Sequence, residues 1–519
     1  MNLKKTVCIL AAGVGSRVGS YSTYLNKSLL PIKKKAAISH IIDQFSNNTE
    51  FVIAIGHFGK QVKNFLKLTY PEKKFKFVKI KKYKGKNTGP GLSLYNCKKL
   101  LQKPFYFVSC DTIWTKKINH LEKNWMGTNY NSIKKNSSFC NLVSKSKKIV
   151  ELIDKKQVSS FCNQFIGLAY IKDYKIFWEG IAKKKIIKGE IQVSNGFNNL
   201  IKLKDVYINK FDWHDIGTIE NYKKTIKFFE KYNFSKTNEF IYINKNRVVK
   251  YFRDEKKCSR IIKLSKINNN FYPKIDKFSE NFISYKFING HTLYEKNSPK
   301  ITKSLLNYLE KNFWKINKKQ IKNVCKKFYK DKTIQRLQLY KQKYNFRTDK
   351  TNYINGEKTE RIEKLLNRVK WKDLYDGIPC RIHGDLQFDN ILITNDKKFK
   401  LIDYRDNFGG KIEYGDKYYD LAKLYGGMIL NYSLIKQNKF KYLKSAQKIY
   451  YSLPSAKTKE IKVFFEFLKE KELSISKVKL LTSIIFLNMA PLHEFPFDQL
   501  LFAHGKLKLQ ESLNEKFSK

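Results

Sequence analysis

Lys5-Thr-Val-Cys-Ile-Leu10-Ala-Ala-Gly13-Val-Gly15-Ser16-Arg17 is the stretch on which the fold turns. Val7 to Ala12 is apolar without alternation, which reads as a strand buried on both faces rather than one face of a solvated sheet. The small residues after it form a turn whose backbone N–H groups can approach phosphate oxygens closely. The turn lacks the G-x-G-x-x-G opening of a dinucleotide site and the G-x-x-x-x-G-K-[ST] phosphate loop.

Working outward, the pattern keeps alternating. A helix is expected near 36–46, a strand at 51–56, a helix at 59–68, a strand at 75–80, a helix at 91–101 and a strand at 105–111 that ends on Asp111. Further strands are expected over 142–155, 161–171 and 205–213, then a helix over 219–231. This predicts an α/β domain with a doubly wound, mostly parallel sheet, whose ligands bind at the carboxyl ends of the strands. The polar segment 233–238 reads as a linker between a first domain at 1–232 and a second at 239–519. The second domain opens with a strand pair over 239–252 turning at Asn244–Asn246, a helix over 254–267 and a strand over 281–290. From about 300 it reads as mostly helical, interrupted by 381–394 and 399–406. Its small lobe is expected at about 239–290 and its large lobe at about 300–519.

Composition narrows the class. The 519 residues, 42% hydrophobic and 15% aromatic, exceed one ordinary domain and exclude global disorder. The net charge of +59 invites nucleic acid, but only ten of the 104 basic residues are arginine and the lysines run along the whole chain. That fits a solvated surface filled with lysine, so no specific nucleic-acid partner is expected. The eight cysteines form no C-x-x-C pair and read as reduced, buried thiols. No membrane span and no secretory signal are expected, so the reading is a cytoplasmic protein. No oligomeric state is legible.

The first chemical constellation surrounds the opening turn. Arg17 and Lys27, the latter in Lys27-Ser-Leu-Leu-Pro31, supply fixed positive charge for a triphosphate. L-A-A-G-x-G-S-R with K-x-L-L-P, Asp111 closing Phe107-Val-Ser-Cys-Asp111, and Trp213-His-Asp215-Ile-Gly217-Thr218 together resemble the sugar-phosphate and phosphocholine nucleotidyltransferases over residues 3–231. The resemblance implies that Leu10, Ala11, Ala12, Gly13, Gly15 and Ser16 hold the nucleotide and that Arg17 and Lys27 serve catalysis. It implies that Asp111 and Asp215 hold Mg²⁺, a hard cation that takes carboxylate oxygens. Lys155, Glu190 and Asn195 are the candidates for the phosphorylated substrate. Asn26 stands where hexose-phosphate members carry proline, and the stretch 87–91 also differs from theirs. CTP is therefore the expected nucleotide.

The second constellation is His383-Gly-Asp385-Leu-Gln-Phe-Asp-Asn390 followed by Leu401-Ile-Asp403, with Lys250 upstream in a strand. Phosphoryl transfer needs a carboxylate facing a hydroxyl, oxygen ligands for Mg²⁺ and a lysine on the nucleotide phosphates. H-G-D-x-x-x-x-N with I-D is similar to the choline kinase and aminoglycoside phosphotransferase family over about 238–519. That resemblance implies a two-lobed, protein-kinase-like α+β domain. Asp385 would be the catalytic carboxylate, Asn390 and Asp403 the metal ligands, and Lys250 the ATP-binding lysine. His383 is read as a brace of the loop, and Glu413, Tyr414, Trp371 and Tyr375 as candidates for the acceptor pocket.

The two expectations join. One domain would phosphorylate a small hydroxyl substrate with ATP, and the other would transfer a nucleotidyl group to that product and release pyrophosphate, for surface glycan biosynthesis. A choline-like amino alcohol or polyol with CTP leads. An anomeric sugar kinase joined to a sugar-1-phosphate nucleotidyltransferase is the alternative. A basic nucleic-acid-binding protein with a nucleotidyltransferase-like core is the remote one.

Overall fold

The computed structural model describes residues 5–118, 122–129, 139–156, 163–230, 238–268, 270–454 and 456–515. The chain divides into two compact units: Met1–Glu230 with Glu239–Arg253 and Lys277–Ser284, and Lys231–Asn238 with Asp254–Asp276 and Tyr285–Lys519. Of the expected linker only Asn238 lies among the described residues.

The first unit is built on a nine-stranded sheet in the order 75–79, 50–55, 6–11, 105–109, 163–171, 124–129, 206–211, 148–154, 140–145. Strand β1, Thr6–Ala11, is buried along its whole length and pairs in parallel with Glu50–Ile55 on one side and Phe105–Ser109 on the other. Its side chains alternate between two cores. Val7, Ile9 and Ala11 enter one cluster, and Cys8 and Leu10 the other. The continuous apolar run is the signature of that double burial.

The expected mostly parallel sheet is parallel only across its first four strands. Asn163–Ile171 runs antiparallel to Phe105–Ser109, and the half beyond it is mixed. The cause is local. Cys140–Lys145 and Lys148–Asp154 are joined by Ser146 and Lys147 alone, both at positive φ, and a two-residue link can only make an antiparallel hairpin. Strand Asn124–Asn129 was not expected, because its ends are polar. Asn124 is buried all the same, donating to Asp173 at 2.6 Å and accepting from Lys172 N and Asp173 N at 2.8 and 3.0 Å.

The second unit is mainly helical. Its long helices are Glu255–Ile267, Pro299–Tyr308, Lys332–Lys343, Lys417–Ile429, Thr458–Glu470, Ile475–Met489 and Phe497–Asn514. The hairpin Ile391–Thr394 with Phe399–Leu401 interrupts them and pairs with Gly290–Thr292. A further small sheet, 353–354, 357–358, 441–445 and 448–452, corrects the expectation of only two interruptions. In Lys441-Tyr-Leu-Lys-Ser445 the lysines blur the alternation that would have marked a strand. Ile475–Leu492 is, among the described residues, long and apolar enough to cross a membrane by length and composition, where no such stretch was expected; 56% of that window is buried inside the fold. The described cysteines are all free, and all but Cys140 are buried.

The hairpin Glu239–Asn244 and Arg247–Phe252, turning at Lys245 with φ 48°, completes the first unit's core. Phe240, Tyr242, Val249, Tyr251 and Phe282 share one apolar cluster with β1. The Tyr242 hydroxyl donates to Leu29 O at 2.7 Å, the Tyr251 hydroxyl to Tyr24 O at 2.8 Å, and Ile243 N to Lys34 O at 2.7 Å. These bonds cover carbonyls of the segment that carries Lys27. Replacing a buried large aromatic by alanine costs about 3–5 kcal/mol. Tyr242→Ala should therefore lower the denaturant midpoint of the first unit, followed by Trp fluorescence, and Tyr242→Phe should lower it less. An unchanged midpoint in Tyr242→Ala would remove the hairpin from this core.

Candidate functional site

The first site lies at the carboxyl end of β1. Leu10, Ala11 and Ala12 are buried, whereas Gly13, Ser16 and Arg17 are exposed in the turn that follows. Gly15 takes φ 69°, and a Cβ there would stand 3.1 Å from Lys27 Cβ, so the turn can lie over Lys27 only without a side chain. Lys27 is fixed by its neighbour. Asn26, buried, donates from Nδ2 to Ala11 O at 3.0 Å and to His57 O at 2.6 Å, and its Oδ1 accepts from Ser28 N and Oγ at 2.9 and 2.7 Å. The asparagine that departs from the hexose-phosphate pattern thus ties the lysine segment to the end of β1. Its role was missed, and no single-sequence signal distinguishes it from an ordinary cap.

Lys27 Nζ meets Asp111 Oδ2 at 2.6 Å. Burial disfavours both charges, yet each favours the other: Lys27 is held above its ordinary value and Asp111 below. Strand Trp213–Asp215 pairs with Thr112–Trp114, and Ile216 N donates to Asp111 O at 3.1 Å, which sets Asp215 beside Asp111. Asp215 Oδ1 accepts from Gly217 N at 2.8 Å and Oδ2 from Asn221 Nδ2 at 2.5 Å. Burial first, and then the Asp111 charge, push the Asp215 carboxyl up. Two close carboxylates that repel are a fitting pair of oxygen ligands for Mg²⁺, which is held by one or two carboxylates together with substrate phosphates. Among the described residues no group of three or more His, Cys, Asp or Glu could hold a metal.

Lys155, at φ 52°, meets Glu190 Oε2 at 2.7 Å, and Gln192 Nε2 donates to the same oxygen at 2.8 Å. Burial raises the Glu190 carboxyl, but Lys155, Gln192 and Arg17 together hold it below its ordinary range. Arg17 acts on both Asp111 and Glu190, helping to hold each carboxyl below its ordinary value. Asn195 is buried at the start of Ser194–Leu203 and donates to Lys185 O at 2.9 Å.

The second site lies in the second unit, on the loop before Ile391–Thr394. Ile391 pairs with Leu401, and Ile402 N donates to Asn390 O at 2.8 Å, which brings Asn390 and Asp403 together across the hairpin base. Asn390 Nδ2 donates to Asp385 O at 2.8 Å, which leaves Oδ1 as its ligating atom toward a cation. His383 is fully buried; Nε2 lies 2.9 Å from Ile402 O, and Nδ1 accepts from Asp385 N at 3.2 Å, which assigns the ring proton to Nε2. Gly384 takes φ 75°, and a Cβ there would come within 2.7 Å of Arg405 Cβ. Asp385 Oδ1 meets Lys423 Nζ at 2.8 Å. Lys250 is buried in the first unit's hairpin, opposite Ile241. Glu413 pairs with Lys263 at 2.8 Å, and Trp371 Nε1 donates to Leu366 O at 3.3 Å.

Asp420 organises this loop. Its carboxylate, fully buried, accepts from His383 N and Gly384 N, each at 2.8 Å, and from Trp314 Nε1 at 3.1 Å. Burial raises it to about 6 against three donors that pull it down. A raised carboxyl means that the folded chain binds this proton more tightly than the unfolded chain. Its contribution to stability therefore falls as pH rises from about 4 to about 6 and is flat above. Asp420→Asn should remove that slope, at most about 1.4 kcal/mol per pH unit, and cost about 1–3 kcal/mol at neutral pH because an amide cannot accept from both backbone donors. Denaturation of both chains at pH 4, 5, 6 and 7 measures it; parallel curves would refute the raised carboxyl.

A family model described as MobA-like NTP transferase domain matches residues 7–127. Two curated relatives are the bifunctional protein GlmU of Methanocaldococcus jannaschii, 27% identical over 214 residues, and that of Methanococcus maripaludis strain C5, 23% identical over 216 residues. Each alignment covers 40% of this chain and 50% of the relative, so the chain spans about half the length of the curated relatives it matches. Among solved structures, CTP:phosphocholine cytidylyltransferase from Streptococcus pneumoniae aligns at TM-score 0.37 and 20% identity, over 44% of this chain and 99% of the other. A glucose-1-phosphate thymidylyltransferase from Bacillus anthracis aligns at TM-score 0.38 and 20% identity, over 45% and 98%. The matched segment carries β1, the turn, Lys27 and Asp111. The N-terminal part of the chain is a nucleotidyltransferase domain of α/β fold.

Proposed function

We propose that the chain is a bifunctional enzyme whose second unit, built mainly of Asp254–Asp276 and Tyr285–Lys519, phosphorylates a small hydroxyl compound with ATP. Its N-terminal domain, 1–232, then joins that phosphate monoester to a nucleotide, with CTP as the proposed donor, toward surface glycan biosynthesis. The observation that carries the reading is the loop 383–390. Asn390 Nδ2 donates there to the Asp385 carbonyl and Ile402 N to Asn390 O, so Asp385, Asn390 and Asp403, residue types that phosphoryl transfer uses, lie on one loop and the hairpin beside it.

In the first step the acceptor hydroxyl oxygen attacks the γ-phosphorus of ATP, the bond to ADP breaks, and the hydroxyl proton passes to the Asp385 carboxylate. His383 and Asp420 hold the loop in place. Asn390 and Asp403 are the proposed Mg²⁺ ligands. In the second step the new phosphate attacks the α-phosphorus of the nucleoside triphosphate and pyrophosphate leaves. Lys27 and Arg17 offset the triphosphate charge, Lys155 with Glu190 faces the incoming phosphate, and Asp111 with Asp215 forms the proposed Mg²⁺ site. The bound cation would neutralise charge on the transferring phosphates in each site.

Proton-accepting groups contribute about 10²–10⁴-fold. Asp385→Asn should lose ATP-dependent phosphorylation by that factor and keep pyrophosphate release from added phospho-substrate and nucleoside triphosphate. Asp111→Asn should do the reverse, and mixing the two variants should restore the whole sequence. A folded single variant that loses both half-reactions would defeat the two-site reading.

A further inference from the structure

The groups around Asp385 are cationic. Lys423 meets its carboxylate at 2.8 Å. Arg405 donates from Nε to Gly384 O at 3.1 Å, and its guanidinium lies 5.3 Å from the Phe328 ring and 5.9 Å from the Tyr419 ring. Lys332 Nζ lies 3.9 Å from the same Phe328 ring. Arg336 follows one turn after Lys332 on helix Lys332–Lys343, so the two like charges share a face, an arrangement that destabilises a helix unless an anion offsets it.

Three acids of this region are committed elsewhere. Asp406 is held by Arg260 at 2.7 Å and Lys257 at 3.8 Å, Asp389 by Lys436, and Asp420 by the two backbone N–H groups and Trp314. Burial and the neighbouring cations Arg405, Lys423 and Arg336 push Lys332 well down, with Asp385 opposing. Burial and Arg405 lower Arg336. Lys423 thus meets the Asp385 carboxylate, Arg405 bonds the neighbouring Gly384 carbonyl, and Lys332 shares the Phe328 ring with Arg405, one turn before Arg336. Lys423 lies on the carboxylate side of Asp385, whereas Asn390 contacts its backbone carbonyl.

We infer that the acceptor phosphorylated at Asp385 carries a negative charge of its own, a carboxylate or a phosphate, held by Lys332, Arg336 and Arg405 beside the reacting hydroxyl. The inference rests on the reading of Asp385 as the group that faces the acceptor hydroxyl. It turns the proposed chemistry away from a cationic amino alcohol and toward an acidic sugar or a polyol phosphate. A quaternary ammonium would enter a site that already repels positive charge, and the aromatic rings that would greet it carry Lys332 and Arg405.

The full chain should be assayed for ADP release from ATP with a hexose, the matching hexuronate, the matching hexose 6-phosphate, glycerol, glycerol 3-phosphate and choline. Charge-assisted hydrogen bonds contribute about 1.5–3 kcal/mol each, so kcat/KM for an acidic acceptor should exceed that of its neutral counterpart at least about tenfold. The hexuronate and phosphate arms separate a carboxylate from a phosphate. Lys332→Gln should raise KM for that acceptor about tenfold and leave KM for ATP unchanged, while Lys332→Arg should restore it. A preference for choline or neutral acceptors, with Asp385→Asn still inactive, would overturn the charge inference and spare the kinase reading. A rise in KM for ATP in Lys332→Gln would assign the cations to the nucleotide and overturn it likewise. ADP release from none of the acceptors would sink the kinase reading and the inference with it.

Discussion

A strand with no wet face can offer chemistry only at its end. Thr6–Ala11 is buried on both sides, so its polar backbone is consumed by two parallel neighbours and its side chains by two apolar cores. Ligand-binding groups must then sit where the strand stops. The glycine turn, Asn26 bonded to Ala11 O, and Lys27 all gather there, and Asp111 follows the adjacent strand at the same edge. The place of the candidate site in the N-terminal domain is thus a consequence of how the central strand is buried.

Buried charge governs the detail at both sites. Lys27 and Asp111 are each costly to bury alone and become tolerable as a pair at 2.6 Å. Asp420 is buried without a cation and is accommodated by three N–H donors instead. The two solutions differ in what they allow. An ion pair with a lysine can be exchanged for substrate phosphate, because the lysine is long and its partner can turn to another cation. A carboxylate clamped by two backbone amides has no such freedom, which suits a residue that holds a loop.

The sequence made the strand–helix alternation of the first hundred residues legible, because period and turn chemistry agree there. It also marked Asp111, Asp215, Asp385, Asn390 and Asp403, because each closes a strand or sits in a loop of fixed spacing. What it hid has physical causes. Strand Asn124–Asn129 carries buried polar side chains whose hydrogen bonds lie far off in the chain. The antiparallel edge pair of the sheet follows from a two-residue turn of Ser146 and Lys147 that contains no glycine. Lys332, Arg336 and Lys423 were invisible because, in a chain with 104 basic residues, a functional lysine looks like any other until its neighbours are known.

The hairpin Glu239–Phe252 and Phe282 belong to the apolar cluster of a unit whose main segment ends at Glu230. During synthesis that core cannot close when its own sheet has emerged. It must wait until residue 284 has left the ribosome, at about 5–20 residues per second some 3–11 s later. Throughout that interval the faces that Tyr242 and Tyr251 will cover stay open to chaperones and to neighbouring chains. The order of appearance of the segments, and not only their final contacts, therefore sets when the nascent chain is most vulnerable to aggregation.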